Sequence, residues 1–129
     1  MKDDKKTILI VEDSPVQALA VLRLLEHRGL RILCASNGEA GLDMARQNLP
    51  AIILLDIQMP GIDGLEVCRL LQADALTAQI PIILLTTQSD SDTIRKGFND
   101  GAVDFIPKDA FYDITLIETL KHLKIIDPT

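Results

Sequence analysis

Short apolar runs, each bounded by polar or turn-forming residues, recur along this chain. They are Thr7-Ile8-Leu9-Ile10-Val11, Leu30 to Ala35, Ala51 to Leu55, Pro81-Ile82-Ile83-Leu84-Leu85 and Val103 to Ile106. Continuous runs of this length, rich in Ile, Val and Leu, predict strands buried on both faces. Between them, apolar residues fall at helical spacing. The first such stretch opens with Ser14 as N-cap and Pro15 at the first helical position, carries Ala18, Leu19, Leu22 and Leu25 on one stripe, and closes at Gly29. The second runs from Glu39 to Asn48 with Ala40, Leu42 and Ala45 inward, and Pro50 stops it. The third follows Gly64 to near Ala75, with Leu65, Cys68 and Leu71 inward. The fourth starts in Ser89-Asp90-Ser91-Asp92, turns Ile94, Gly97 and Phe98 inward and ends at Gly101. The fifth spans Asp113 to Lys124 on a stripe of Leu116, Leu120 and Leu123, with Lys121, His122 and Lys124 suited to its C-terminal end.

Strand and helix thus alternate five times, which predicts an α/β fold with a mostly parallel sheet and helices on both faces. The 129 residues fit one domain, with 1–6 and 125–129 expected to be flexible ends. At 47% hydrophobic and 25% charged the chain is an ordinary globular one. A formal net charge of −6 argues against nucleic-acid binding by this domain, and 3% aromatics against a base-stacking platform. Cys34 and Cys68 lie in separate apolar stretches and are expected as buried free thiols. No signal peptide is visible and no run approaches the length of a membrane span, so no membrane association and a reducing cytoplasm are expected.

Ligands of open α/β sheets bind beyond the carboxyl ends of the strands. The residues there are Glu12-Asp13 after the first strand, Asp56 after the third, Thr86 after the fourth and Pro107-Lys108 after the fifth. Each alone has a plain explanation: an acidic loop before a helix, a turn-former, a β-branched strand residue, a solvated lysine. Their arrival at one rim does not. Clustered carboxylates without a Cys/His set suit a hard cation, Mg²⁺ or Mn²⁺, rather than zinc. Beside a metal and Lys108, Asp56 stays ionised and is placed to attack phosphorus. His27 and His122 share no motif with this rim and read as exposed helix residues.

Four segments carry a resemblance: Ile8-Leu9-Ile10-Val11-Glu12-Asp13-Ser14, Leu54 to Gly64 with its Asp56-Ile57-Gln58-Met59-Pro60-Gly61 core, Ile80 to Thr86, and Gly101 to Lys108. Together the chain resembles a response-regulator receiver domain of two-component signalling, CheY-like in type. The resemblance implies a flavodoxin-like (βα)₅ fold with strand order 2-1-3-4-5. It implies that Asp56 accepts a phosphoryl group from the phosphohistidine of a sensor histidine kinase or phosphotransfer protein. By the same similarity Glu12, Asp13, Asp56 and the backbone carbonyl of Gln58 hold the metal, Lys108 pairs with the phosphoryl group, and Thr86 and Phe105 form the switch. A downstream effector or fused output domain, and a dimer face at the fourth helix, fifth strand and fifth helix, are further implications. Such a protein catalyses only its own phosphorylation and dephosphorylation.

The chain departs from that pattern in places. Asp109 follows Lys108 where the family commonly has proline, so a cis bond is not expected there and Asp109 becomes a rival partner for the Lys108 ammonium. Thr87 stands where a smaller residue is frequent, and Gln58 and Gln88 occupy positions that tune dephosphorylation. Two other functions stay open: a receiver-fold interaction module that works without phosphorylation, and a metal-dependent aspartyl-phosphate phosphohydrolase. The latter's usual second Asp, two residues after the nucleophile, is here Gln58.

Overall fold

A computed structural model describes residues 5–87 and 91–128. Elements alternate throughout: β1 (Lys6–Val11), α1 (Pro15–Leu25), β2 (Leu30–Ala35), α2 (Gly38–Asn48), β3 (Ile52–Asp56), α3 (Gly64–Ala73), β4 (Ile82–Thr86), α4 (Ser91–Asn99), β5 (Asp104–Pro107) and α5 (Tyr112–His122). All strands pair in parallel, in the order β2-β1-β3-β4-β5. This is the expected flavodoxin-like arrangement.

Strand side chains alternate between two cores. Leu9, Val11, Ile53, Leu55, Ile82 and Leu84 meet Leu42 and Ala45 of α2 and Val67, Cys68 and Leu71 of α3. Ile8, Ile10, Ile52, Leu54, Ile83, Leu85 and Ile106 meet Val21 and Leu25 of α1 and Leu116 and Leu120 of α5. The central strands β3 and β4 are buried at every position, which explains their unbroken apolar runs. Full burial of each such Leu or Ile contributes about 1.5–3 kcal/mol.

Several expectations are corrected. Leu19 is exposed and Val21 is buried, so the inner stripe of α1 is rotated from the one expected. Phe98 is on the surface, because Gly97 rather than an aromatic ring touches the sheet, over Leu84, and Leu123, which follows α5, is exposed as well. Cys34 is exposed because β2 is an edge strand, whereas Cys68 is buried. The loose ends are also shorter than expected. Lys6 pairs with Leu30 in the sheet, its Nζ donates to the Lys124 carbonyl, and Ile126 is buried in the α1–α5 core. Gln88, Ser89 and Asp90 lie outside the described residues.

Candidate functional site

Parallel register brings the strand ends to one rim. Val11 is level with Leu55, Asp56 with Leu85, and Thr86 with Pro107. The ladder continues past the strands: Glu12 N–H donates to the Ala35 carbonyl at 3.0 Å, and Lys108 N–H to the Thr86 carbonyl at 2.8 Å. Glu12, Asp56, Thr86 and Lys108 therefore sit on adjacent strands, although far apart in sequence.

The loop after β3 is shaped by glycines. Gly61 has φ +80°, which fits the third position of a type II turn with Pro60 second. Gly64 lies against the strand end and its N–H donates to the Ile57 carbonyl at 2.8 Å. A Cβ at Gly64 would stand 2.2 Å from the Asp56 carbonyl oxygen. Asp63 then caps α3, accepting from Glu66 N–H at 2.9 Å.

Carboxylate oxygens of Glu12, Asp13 and Asp56 all lie within 4.8 Å of one another. Glu12 and Asp56 are each 5% exposed. The Lys108 ammonium donates to Glu12 Oε1 at 2.7 Å and lies 3.3 Å from Asp56 Oδ1. One formal positive charge thus faces three formal negative ones in a half-buried site. Crowded oxygen donors with an uncompensated charge and no sulfur or imidazole fit a hard divalent cation.

Thr86 is fully buried at the end of β4. Phe105 is partly buried on the same sheet face, packed on the α2–α3 core, level with Leu84 and two positions short of the Thr86–Pro107 level. Gln58 is exposed beyond β3, and its Oε1 accepts from Thr87 Oγ1 at 2.7 Å. Asp109 does not engage Lys108. Its Oδ1 accepts from Phe111 N–H at 2.9 Å, and its carbonyl from Tyr112 N–H at 3.1 Å, so it organises the turn into α5. The expected rivalry fails because an Asx turn uses the side chain locally. No cis peptide bond occurs among the described residues.

Two participants, Gln17 and Tyr112, escaped sequence reasoning. Gln17 Oε1 accepts from Lys108 Nζ at 2.6 Å. Tyr112 flanks the site, and burial first, then the charges of Glu12, Asp113 and Asp56, push its phenol far above the ordinary range. With Gln17, Val21, Thr87, Lys108 and Asp113, Tyr112 lines a cleft of ≈ 340 Å³ beside the carboxylates. Only the Ser14-x-x-Gln17 spacing at the start of α1 carried any local signal.

Fold and site together define a class: an open parallel α/β protein with a cation-ready acidic cluster and a lysine at the carboxyl edge of its sheet. The chain belongs to the response regulator receiver domain family of two-component signalling, whose model matches residues 8–121. It is 39% identical over 113 residues to the protein PilH of Pseudomonas aeruginosa, covering 88% of this chain and 93% of that one. It is 39% identical over 102 residues to the transcriptional regulatory protein AfsQ1 of Streptomyces coelicolor, covering 79% of this chain but only 44% of that relative. The receiver domain of the sensor histidine kinase PA1611 from Pseudomonas aeruginosa, solved with magnesium in its active-site cleft, superposes with a TM-score of 0.82 at 26% identity, covering 92% of this chain and 96% of that one. The chain is therefore similar to a relative of its own length and to a module of longer proteins. Receiver domains are Mg²⁺-binding signalling switches. No described helix is long and apolar enough to cross a membrane.

Proposed function

We propose that this receiver domain accepts a phosphoryl group on Asp56 and changes its surface in response. The observation that carries the reading is the joint placement of Asp56 with Glu12, Asp13 and the Lys108 ammonium, within 4.8 Å and 3.3 Å respectively. Glu12, Asp13, Asp56 and the Gln58 carbonyl would hold Mg²⁺ or Mn²⁺, which when bound supplies charge neutralisation at the transferring phosphoryl group. An Asp56 oxygen attacks phosphorus of a donor phosphohistidine. The P–N bond breaks as the P–O bond forms, the electron pair stays on the imidazole nitrogen, and solvent reprotonates it. Lys108 then neutralises phosphoryl oxygens and the Thr86 hydroxyl turns to donate to one. Phe105, beside Thr86 on the same face, follows into the space vacated. Water later attacks phosphorus and restores the carboxylate, so the domain acts catalytically only on itself.

The donor is a sensor histidine kinase or a phosphotransfer protein, in keeping with the kinase-borne receiver it resembles. The output is a downstream effector or a fused domain, as the length of AfsQ1 illustrates. Exposed Phe98, Val103 and Ile114 support α4–β5–α5 as a homodimer or effector face. We read 1–129 as a single cytoplasmic domain that contacts neither nucleic acid nor membrane itself. A phosphohydrolase is disfavoured because Gln58, a carboxamide, is tied to Thr87 where a second acid is needed. The phosphorylation-independent module loses its support with Asp109 engaged elsewhere.

Acetyl phosphate and fluoroberyllate, with and without Mg²⁺, test the reading. Intact mass should show one phosphoryl group that Asp56→Asn removes, and NMR shifts should appear at Thr86 and Phe105. Absence of any metal-dependent modification or shift would sink it.

A further inference from the structure

The start of α1 has the sequence of a capping box, Ser14-Pro15-Val16-Gln17, in which the glutamine side chain normally returns to the N-cap's own N–H. Only half of that box forms. Gln17 N–H donates to Ser14 Oγ at 3.3 Å, but Ser14 N–H donates to Glu12 Oε2 at 3.1 Å. Glu12 thereby takes the donor that Gln17 would have met. The Gln17 side chain reaches across to β5 instead, and its Oε1 lies 2.6 Å from Lys108 Nζ.

A lysine ammonium has three donors. Those of Lys108 face Gln17 at 2.6 Å, Glu12 at 2.7 Å and Asp56 at 3.3 Å. The set is full, and its longest contact is the one to the proposed phosphoacceptor. A phosphoryl oxygen gains a bond from Lys108 only when a present partner gives way. Glu12 and Asp56 are charged and buried, so losing the ammonium leaves a carboxylate poorly solvated. Gln17 is neutral and exposed, and water replaces its lost bond.

We propose that Gln17 is a positioning residue: in the unphosphorylated state it draws the Lys108 ammonium off Asp56, and an arriving phosphoryl group takes its place. This rests on Asp56 being the phosphoacceptor. Two opposite effects follow from removing the acceptor. The ammonium closes on Asp56 and competes with the cation there. A phosphoryl mimic no longer has to displace the Gln17 contact.

Gln17→Met keeps the chain length and removes the oxygen. It should weaken Mg²⁺ binding to the metal-free protein and, at saturating Mg²⁺, tighten fluoroberyllate binding about fivefold, the scale of one hydrogen bond. Gln17→Glu should do the reverse for fluoroberyllate, because a charge holds the ammonium harder. In a Lys108→Ala background Gln17→Met should leave Mg²⁺ affinity unchanged, since its effect passes through the lysine. In metal-free protein the Lys108 Nζ protons should be visible by NMR and broaden in Gln17→Met. If wild type takes up fluoroberyllate and Gln17→Met matches it in both affinities, or weakens both as mere loss of support would, the role of Gln17 is overturned and Asp56 stands. If wild type takes up none, both readings fall.

Discussion

Tyr112 carries the site's environment in one titration. It is the only tyrosine, and burial, reinforced by Glu12, Asp113 and Asp56, raises its phenol above the ordinary value of 10.0. The neutral form is thus favoured in the folded state. Stability from this group is intact below the unfolded pKa near 10 and is lost as pH climbs above it, where the unfolded chain releases the proton first. Ultraviolet titration should show no phenolate through pH 10 in the native protein, and thermal midpoints should start to fall there; ordinary titration would contradict the burial. The two cysteines separate in the same way. Burial, and then the charge of Asp100, push the Cys68 thiol up to about 12, whereas Cys34 is exposed on the edge strand. A disulfide reagent at mild pH should modify Cys34 in the native state and reach Cys68 only on unfolding. Rapid reaction of both would refute the packing of α3.

At the scale of elements, the loop from β3 to α3 is the tightest joint. Gly64 approaches the Asp56 backbone so closely that Gly64→Ala requires the strand end or the helix to move. We expect a loss of about 1–3 kcal/mol, the usual cost of overpacking, measured by urea unfolding. Mg²⁺ affinity should fall with it, because the displaced atoms are those of Asp56 itself. A substitution without effect on either would mean that the joint is looser than it stands here. The joint into α1 is milder. Ser14→Ala removes the acceptor of Gln17 N–H and should lower stability by about 1 kcal/mol.

For the whole molecule, one acidic rim on a chain of net charge −6 ties stability to cations. A ligand of the folded state alone at a hundredfold its Kd adds about 2.7 kcal/mol. Mg²⁺ at that level should therefore raise the thermal midpoint by several degrees, and Asp13→Asn should abolish most of the rise. Monovalent salt at matched ionic strength should not reproduce it. A rise that survives in Asp13→Asn would place the cation elsewhere. The far end of the molecule matters differently. Ile126 closes the α1–α5 core, so Ile126→Ala should cost about 2–5 kcal/mol without touching metal affinity.

The alternation of buried runs with amphipathic stretches determined the fold, because a parallel sheet covered on both sides leaves its period in every strand and helix. The same pattern placed Glu12, Asp13, Asp56, Thr86 and Lys108 at one edge, since parallel strands share a carboxyl end. Which face of α1 turns inward and whether Phe98 is covered were decided by packing: neighbouring helical stripes are nearly equally apolar, and only the sheet chooses between them. Asp109 shows the limit at the site, where a local Asx turn prevailed over a lysine next door. Gln17 shows the other limit. Its partner is 91 residues away, and its side chain is free to reach it only because Glu12 has taken the Ser14 N–H. Such choices depend on competing hydrogen bonds in three dimensions, and no linear spacing encodes the outcome.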